Sequence, residues 1–597
     1  MRTTGTTRRL IAHFLRGFLS PEGGSGAGKP LAVVVAMLLS PGLFVTILIA
    51  ARYVIAPVPM PGDTAVGGLY DRLLFHCAVF VLMVLVALVH WDRLALDARD
   101  AAFLGVLPLP YARIVAARWA ATGLFGLGAA VLLSGLPSLV YPIVSVGRLE
   151  ASWGLVQALT LWQFVAGVLA GATGFVAVVA LREASWAVLG PRLFLRVSAA
   201  MQGVLVVTAV VAFFLLPSWT ARQLSPPAVI DARTHRVNVE ATLAQPITPH
   251  PVTRWLPPVT WTGAFEALAG HRVAELPLTA GMPVRIRVDN DRQLQHYAKV
   301  SPALDGALGR GTLSLAALLV VAIVAAAWNA RFRAPGGMLL PTRRSALVRA
   351  VDRVISLVPQ PETRAGFGFT WRTLLRSQPH RLLLAVGLAG GLAAGTVGLF
   401  EEPPLRSRLG EASLTLLSVQ ALLIVCVAGG ARAARRRGAD AQAAWVHALT
   451  WTGNRTAYET GVSAGATLVA CAPIACLLPV YAQLFGWAGA LQHAIVGAML
   501  ALVLVEAVVL RQQTVPLVED APVTDAAKAL PVLALPGALI VAAVVSGIEQ
   551  RSPAVAVTML AITWATLHLA RTHRHTPPDA LARSTLEDGA VELGLYR

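Results

Sequence analysis

Long apolar runs, separated by short basic or polar stretches, fill most of the chain. Runs of about 18 residues or more predict membrane-spanning helices, and six fall in the first half, near 31–55, 73–90, 119–146, 153–181, 199–217 and 311–330. After a basic stretch, six more follow near 382–400, 412–430, 459–482, 486–510, 530–547 and 553–570. The expected fold is an all-α polytopic membrane protein of about twelve transmembrane helices. Ahead of the first run, residues 7–19 place Leu10, Ile11, Phe14, Leu15 and Phe18 on one helical face and Arg8, Arg9 and Arg16 away from it. This pattern predicts an amphipathic helix lying in the membrane interface.

Composition agrees with the pattern. Of 597 residues, 56% are hydrophobic and 13% charged, and the mean hydropathy is +0.66. Soluble domains carry about 25% charged residues, so a soluble fold is excluded. The net charge of +18 comes from 49 Lys and Arg against 31 Asp and Glu, and lysines occur only at Lys29, Lys299 and Lys528. In a soluble protein such an excess would suggest nucleic acid. Here the arginines sit in short loops, where they orient the chain in the bilayer.

With the N-terminus inside, the loops around 1–30, 91–118, 182–198, 331–381, 431–458, 511–529 and 571–597 hold 33 of the 49 basic residues. Six lie in or beside the short outside loops, and ten in one long outside segment, 218–310, whose length exempts it from the charge rule. Both termini are expected to be cytoplasmic. The first apolar run is too long for a cleavable leader and lacks a small-residue cleavage site, so it is expected to stay in the membrane. Cys77, Cys426, Cys471 and Cys476 all lie in apolar segments. Neither a disulfide framework nor a zinc site follows, and Cys471 and Cys476 read as helix packing.

The order of parts repeats. Residues 369–381 are again basic and aromatic and lead into the seventh run, as 7–19 lead into the first. The segments after the second and eighth runs align without a gap: Ala101 with Ala443, Phe103 with Trp445, Leu107 with Leu449, Arg113 with Arg455. The expected organisation is a 6+6 internal repeat. Residues 1–330 form the first six-span unit, 331–366 a basic cytoplasmic linker, 367–570 the second unit and 571–597 a cytoplasmic tail. The extracytoplasmic insertion 218–310, between spans five and six, has no counterpart in the second half. It carries His235, His250, His271 and His296 and a strand-like alternation at 284–288. Its middle, 254–268, is apolar enough to lie at the membrane surface.

Several motifs carry candidate chemistry. Gly23 to Lys29 matches the phosphate-binding pattern G-x-x-x-x-G-K, but Pro30 replaces the Ser or Thr and no strand precedes it. It reads as a flexible linker. His76, Gln157, Gln163 and Glu506 stand out within apolar runs, and an ionisable group in hydrocarbon is a functional candidate. His76 lies near the outer end of its span, at the expected interface. Glu506 is five residues before Arg511, close enough for its carboxylate to approach the inner interface. The cytoplasmic segment 92–118 places Arg93, Asp97 and Asp100 on one wet helical face and Leu96, Phe103 and Leu107 on an apolar one, before Pro108 and Pro110 end the helix.

That segment, with its Leu104, Leu107, Pro108 turn and the basic Arg113 and Arg118 before span three, resembles the coupling region of permease subunits of type-two ABC exporters. An interfacial helix before span one, six spans, cytoplasmic ends and an external elaboration between spans five and six also resemble that family. The resemblance covers 1–330 in architecture and the second half in order of parts; Thr450 stands where the first copy has proline. It implies a non-enzymatic permease in a bacterial plasma (inner) membrane. ATP and magnesium would be bound by a separate ATPase chain on the cytoplasmic side, and none of these cofactors by this chain. The segments 92–118 and 434–458 would carry the ATPase's motion into the spans. By that analogy Asp97, Asp100, Phe103, Leu107, Pro108 and Arg113, with Trp445, Leu449 and Arg455, are the contact residues.

Two other classes compete. An ion- or proton-coupled secondary transporter also fits twelve spans with a repeat, but it predicts intramembrane charge, and the sequence offers little beyond Glu506 and the polar His76, Gln157 and Gln163. A membrane-embedded enzyme acting on lipid or glycan would need a constellation in 218–310. Asp231, Glu240, Glu266, His250 and His271 could supply one, with a spacing that points to no particular chemistry. The substrate is not legible.

Overall fold

The computed structural model describes residues 2–19, 39–44, 46–47, 53, 60–94, 104, 109–149, 151–227, 229, 238–278, 282–332, 353, 355–401, 413–435, 454–510 and 525–573. Among them the chain is helical throughout, without a β-strand. Nine stretches among the described residues are long and apolar enough to cross a membrane. The all-α, membrane-protein reading of the apolar pattern holds at this level. The chain divides into two compact units: Met1–Ser198 with Ala212–Leu340, and Ala199–Val211 with Pro341–Arg597.

In the first unit, α1 (Arg2–Leu19) buries Leu10, Phe14 and Phe18 while Arg8, Arg9 and Arg16 stay exposed. The one-sided spacing is that of an amphipathic helix, and its buried stripe packs on α3 (Tyr111–Val146). Helix α2 (Pro61–Val89) starts well before the expected position near 73. Asp63, Asp71 and Arg72 depress the hydropathy there, but Asp71 and Arg72 are buried against protein, and proline suits a helix start.

Helix α4 (Trp153–Gln223) turns at Gly190, with φ 74° and ψ 161°, just before Pro191. Only glycine reaches that backbone region cheaply. The stretch 182–198, expected as a loop, is therefore helical apart from this turn.

The external segment differs from its sequence reading. Residues 284–288 do not form a strand. They open α6 (Val284–Val300), whose buried residues Asn290, Tyr297 and Val300 follow a helical period. The alternation is only five residues long, too short to set the local structure against that stripe. The apolar middle, expected at the membrane surface, is covered by protein. It folds as α5 (Pro257–Phe265), buried with Trp261 1% and Phe265 2% exposed between α2 and α7 (Ala307–Phe332).

The second unit contains α8 (Pro361–Arg376), α9 (Gln378–Glu401), α10 (Leu414–Arg435), α11 (Arg455–Ala470), α12 (Ala472–Leu510), α13 (Asp525–Arg551) and α14 (Pro553–Thr572). Helix α12 breaks at Gly486 with φ 74°. Helix α9 packs on α10, α10 on α13, and α12 on α14.

Helix α8 packs on α11 at very close range. A Cβ on Gly461 would collide with the Thr363 carbonyl, and one on Gly366 with the Tyr458 carbonyl. The Thr363 hydroxyl donates to the Ala457 carbonyl at 3.0 Å. Small residues that let backbones meet are the usual basis of helix packing in lipid, where no hydrophobic force draws helices together.

Candidate functional site

Three polar clusters stand out inside the helical units. The first surrounds the end of α2, at the entry to the segment 92–118. Where α2 ends, the His90 ring lies 4.7 Å from Phe125 of α3 and 5.8 Å from Phe18 of α1. The guanidinium of Arg93 donates to the Gly17 carbonyl at the end of α1. Arg118 of α3 lies over the faces of Phe14 and Phe18, at 5.1 and 4.7 Å, where a cation is attracted to the ring face.

Trp91, fully buried, donates its indole N–H to Ser198 at 2.8 Å. Arg182 lies 5.4–5.8 Å from the rings of Trp91, Trp186 and Phe194 and pairs with Glu183 at 2.6 Å. Glu183 in turn accepts from Asn329 of α7 at 2.8 Å. Residues 90–94 are thus fastened to α1, α3 and α4, and through Glu183 to α7.

The second cluster fastens the external segment to α2. Arg72 donates through Nε and Nη2 to one Glu266 oxygen, at 2.8 and 2.5 Å, and Tyr297 donates to the other at 2.8 Å. His76 Nδ1 meets the Thr262 hydroxyl at 2.8 Å, and Gly62 N–H donates to Asn290 at 2.8 Å. Beside the pair, Tyr53 donates to Asp71 at 2.6 Å. Thr46, Asp71, Arg72, Phe75, Tyr141 and Gln163 line a small cavity there. The Gln163 amide oxygen, buried at that place, has no donor among the described residues.

The third cluster lies in the second unit. Glu506 of α12 pairs with Arg571 of α14 at 3.0 Å and with His568 at 3.1 Å. Arg571 also donates to Ser463 of α11 at 2.9 Å. Further along α12, His493 pairs with Glu549 of α13 at 2.7 Å, Gln420 of α10 donates to the His493 carbonyl at 2.8 Å, and the Tyr481 ring meets His493 edge-on at 4.6 Å. Thirteen residues of helix separate His493 from Glu506, about 20 Å.

The sequence-named residues fare unevenly. Glu506 is buried at 4% exposure and satisfied by α14 rather than by the interface. His76 is fully buried, because α2 extends beyond it and α5 covers it. Gln163 is buried in the small cavity. His76 and Gln163 belong to the first unit and Glu506 to the second.

Asp97, Asp100, Phe103, Leu107, Pro108, Trp445 and Leu449 lie outside the described residues, as do most of 31–55, of the Gly23–Lys29 motif and of the linker and tail. Arg113 sits half-buried in the first turn of α3, and Arg455 opens α11. In the external segment His271 Nδ1 meets the Glu266 carbonyl oxygen at 3.0 Å, while His250 caps a short helix. The described residues contain no group of His, Cys, Asp or Glu able to hold a metal ion. The four cysteines are free thiols.

Sequence reasoning missed Arg72, Arg182, Glu183, His493, Glu549 and Arg571, and it named Glu266 without its partners Arg72 and Tyr297. Comparison with known proteins finds no matching family model, no matching curated protein and no matching solved structure.

Proposed function

We propose that the chain is the membrane-spanning permease of an ATP-driven type-two ABC exporter, coupling hydrolysis by a separate cytoplasmic ATPase subunit to substrate export. The observation that carries this reading is the fastening of residues 90–94. A segment that receives a push does mechanical work only if its ends are joined rigidly to the spans. Here the entry is held by Arg93 to α1, by Trp91 to Ser198 and by His90 between Phe18 and Phe125. The exit is the first turns of α3, where Arg118 grips α1. In this reading Asp97, Asp100 and Arg113 dock the partner, and Phe103, Leu107 and Pro108 form the fulcrum.

A twelve-span, 6+6 organisation belongs to the same proposal. The interfacial helix packs on the third span of its half in both copies, α1 on α3 and α8 on α11. The stretch Thr456–Val508 counts once among the nine candidates, yet its 53 residues would reach about 80 Å against a hydrocarbon core of about 30 Å. Its break at Gly486 makes it two crossings. Helix α13 and the apolar run 31–55 bring the total to twelve. Cytoplasmic termini and an inner-membrane location follow from the arginine distribution.

A second reading, an ion-coupled carrier, draws on the buried carboxylates Asp71, Glu506 and Glu549, more intramembrane charge than the sequence displayed. The separating experiment is purification of the tagged protein from its native membrane in mild detergent. A P-loop ATPase is expected at stoichiometric amount, lost in Leu107→Asp. In Trp91→Ala it should be retained while transport-coupled hydrolysis falls. Repeated absence of any ATPase, with transport that follows a proton or sodium gradient, would overturn the permease reading in favour of the carrier.

A further inference from the structure

At the turn between α13 and α14 a groove of about 570 Å³ opens on the surface of the second unit, within the usual size of ligand clefts, roughly 300–1,000 Å³. Its walls are Leu414, Val544, Val555 and Met559, and its end carries Arg551 and Ser552. Val544, Val555 and Met559 are each about half exposed, at 55, 50 and 53%.

We propose that this groove holds one anionic phospholipid of the bilayer, with its phosphate at Arg551 and an acyl chain between α13 and α14. The order of residues with depth matches that of a lipid. Arg551 ends α13 and Ser552 caps α14, so both lie at the end of their spans, at headgroup level. Val544 is seven residues back along α13, about 10 Å deeper, and Met559 lies at a similar depth on α14.

The charge selects an anion. A guanidinium pairs with phosphate through two parallel hydrogen bonds, and the lining contains no carboxylate to compete. The adjacent carboxylate, Glu549, is turned into the bundle and bonded to His493. The arginine also runs against the charge pattern of the chain, since the loops read as external carry few basic residues. The floor is open: a Cβ built on Gly547 meets only Leu414 Cδ1, at 3.9 Å. This inference does not depend on the exporter reading.

The test uses the full-length protein, delipidated in mild detergent and supplied with phosphatidylglycerol or phosphatidylcholine of identical chains, with bound lipid counted by native mass spectrometry. The wild type is expected to retain phosphatidylglycerol about fivefold better, the effect of one basic residue near the headgroup. Arg551→Gln should bring the ratio close to one with total retention little changed. Gly547→Phe should reduce retention of both lipids, because its ring enters the groove. Met559→Trp, at an exposed position, fills the same groove should Gly547→Phe not fold. Equal retention of the two lipids by the wild type, or an unchanged ratio in Arg551→Gln, overturns the assignment of the charge. Undiminished retention in the groove-filling variants overturns the site.

Discussion

Arg72 and Glu266 show how one pair of residues joins two distant stretches of this chain. Both side chains are almost fully buried, and the arginine also lies 4.7 Å from the Phe265 ring centroid. Removing one partner from such a pair leaves an uncompensated buried charge, at a cost of about 3–5 kcal/mol, whereas replacing both with apolar groups is often close to neutral. Arg72→Met is therefore expected to lower the melting temperature in detergent sharply. The double variant Arg72→Met with Glu266→Leu should recover most of that loss. A double variant as unstable as the single one would show that packing, not charge, holds the external segment. The same pair explains why this site was illegible in sequence. The two residues are 194 positions apart, and a hydropathy reading places Arg72 outside the span because it is charged. Of the single polar residues that stand out in apolar runs, Glu506, Gln163 and His76 are buried and Gln157 is exposed. The partners of Glu506 and His76 were not legible, since Arg571 and Thr262 lie beyond any local window.

At the level of helices, the amphipathic α1 was the most legible element, because its apolar stripe opposite arginines calls for burial, whereas the segment expected at 369–381 divides between α8 and α9. What the stripe meets was not legible, and α1 and α8 pack on their partners by different means. Helix α1 uses rings and a cation, with Phe18 stacked on Phe125 at 4.9 Å and Arg118 above it. Helix α8 uses bare backbone at Gly366 and Gly461. The two contacts are built from unlike residues, so the proposed repeat would leave almost no shared sequence at this place. Substitution of Gly461 by leucine is accordingly expected to force α8 off α11. The protein should insert but melt several degrees lower, and a cysteine placed at Gly465 should become accessible to thiol reagents. Unchanged stability and accessibility would mean that the close crossing contributes nothing. The strand-like alternation at 284–288 failed for the opposite reason: a five-residue pattern yields to the helical stripe of Asn290, Tyr297 and Val300 that follows it.

For the whole chain, the arginine distribution and the count of crossings make one joint claim about sidedness. In the proposed topology twelve crossings return the chain to its starting side, so Thr7 and Thr456 would face the cytoplasm and the α13–α14 turn would lie opposite. With Cys77, Cys426, Cys471 and Cys476 replaced, single cysteines at Thr7, Thr456 and Ser552 report these positions. An impermeant thiol reagent applied to intact cells is expected to label Ser552→Cys directly, and Thr7→Cys and Thr456→Cys only after permeabilisation. Labelling of Thr7→Cys from outside would invert the orientation, and with it the side on which a coupling partner could reach residues 90–118. Labelling of Ser552→Cys and Thr456→Cys from the same side would be a different failure. It would require an even number of crossings between them where three are proposed, so either Thr456–Val508 does not divide at Gly486 or α13 does not span. The repeat would then lose its even count, and the exporter reading the symmetry that supports it.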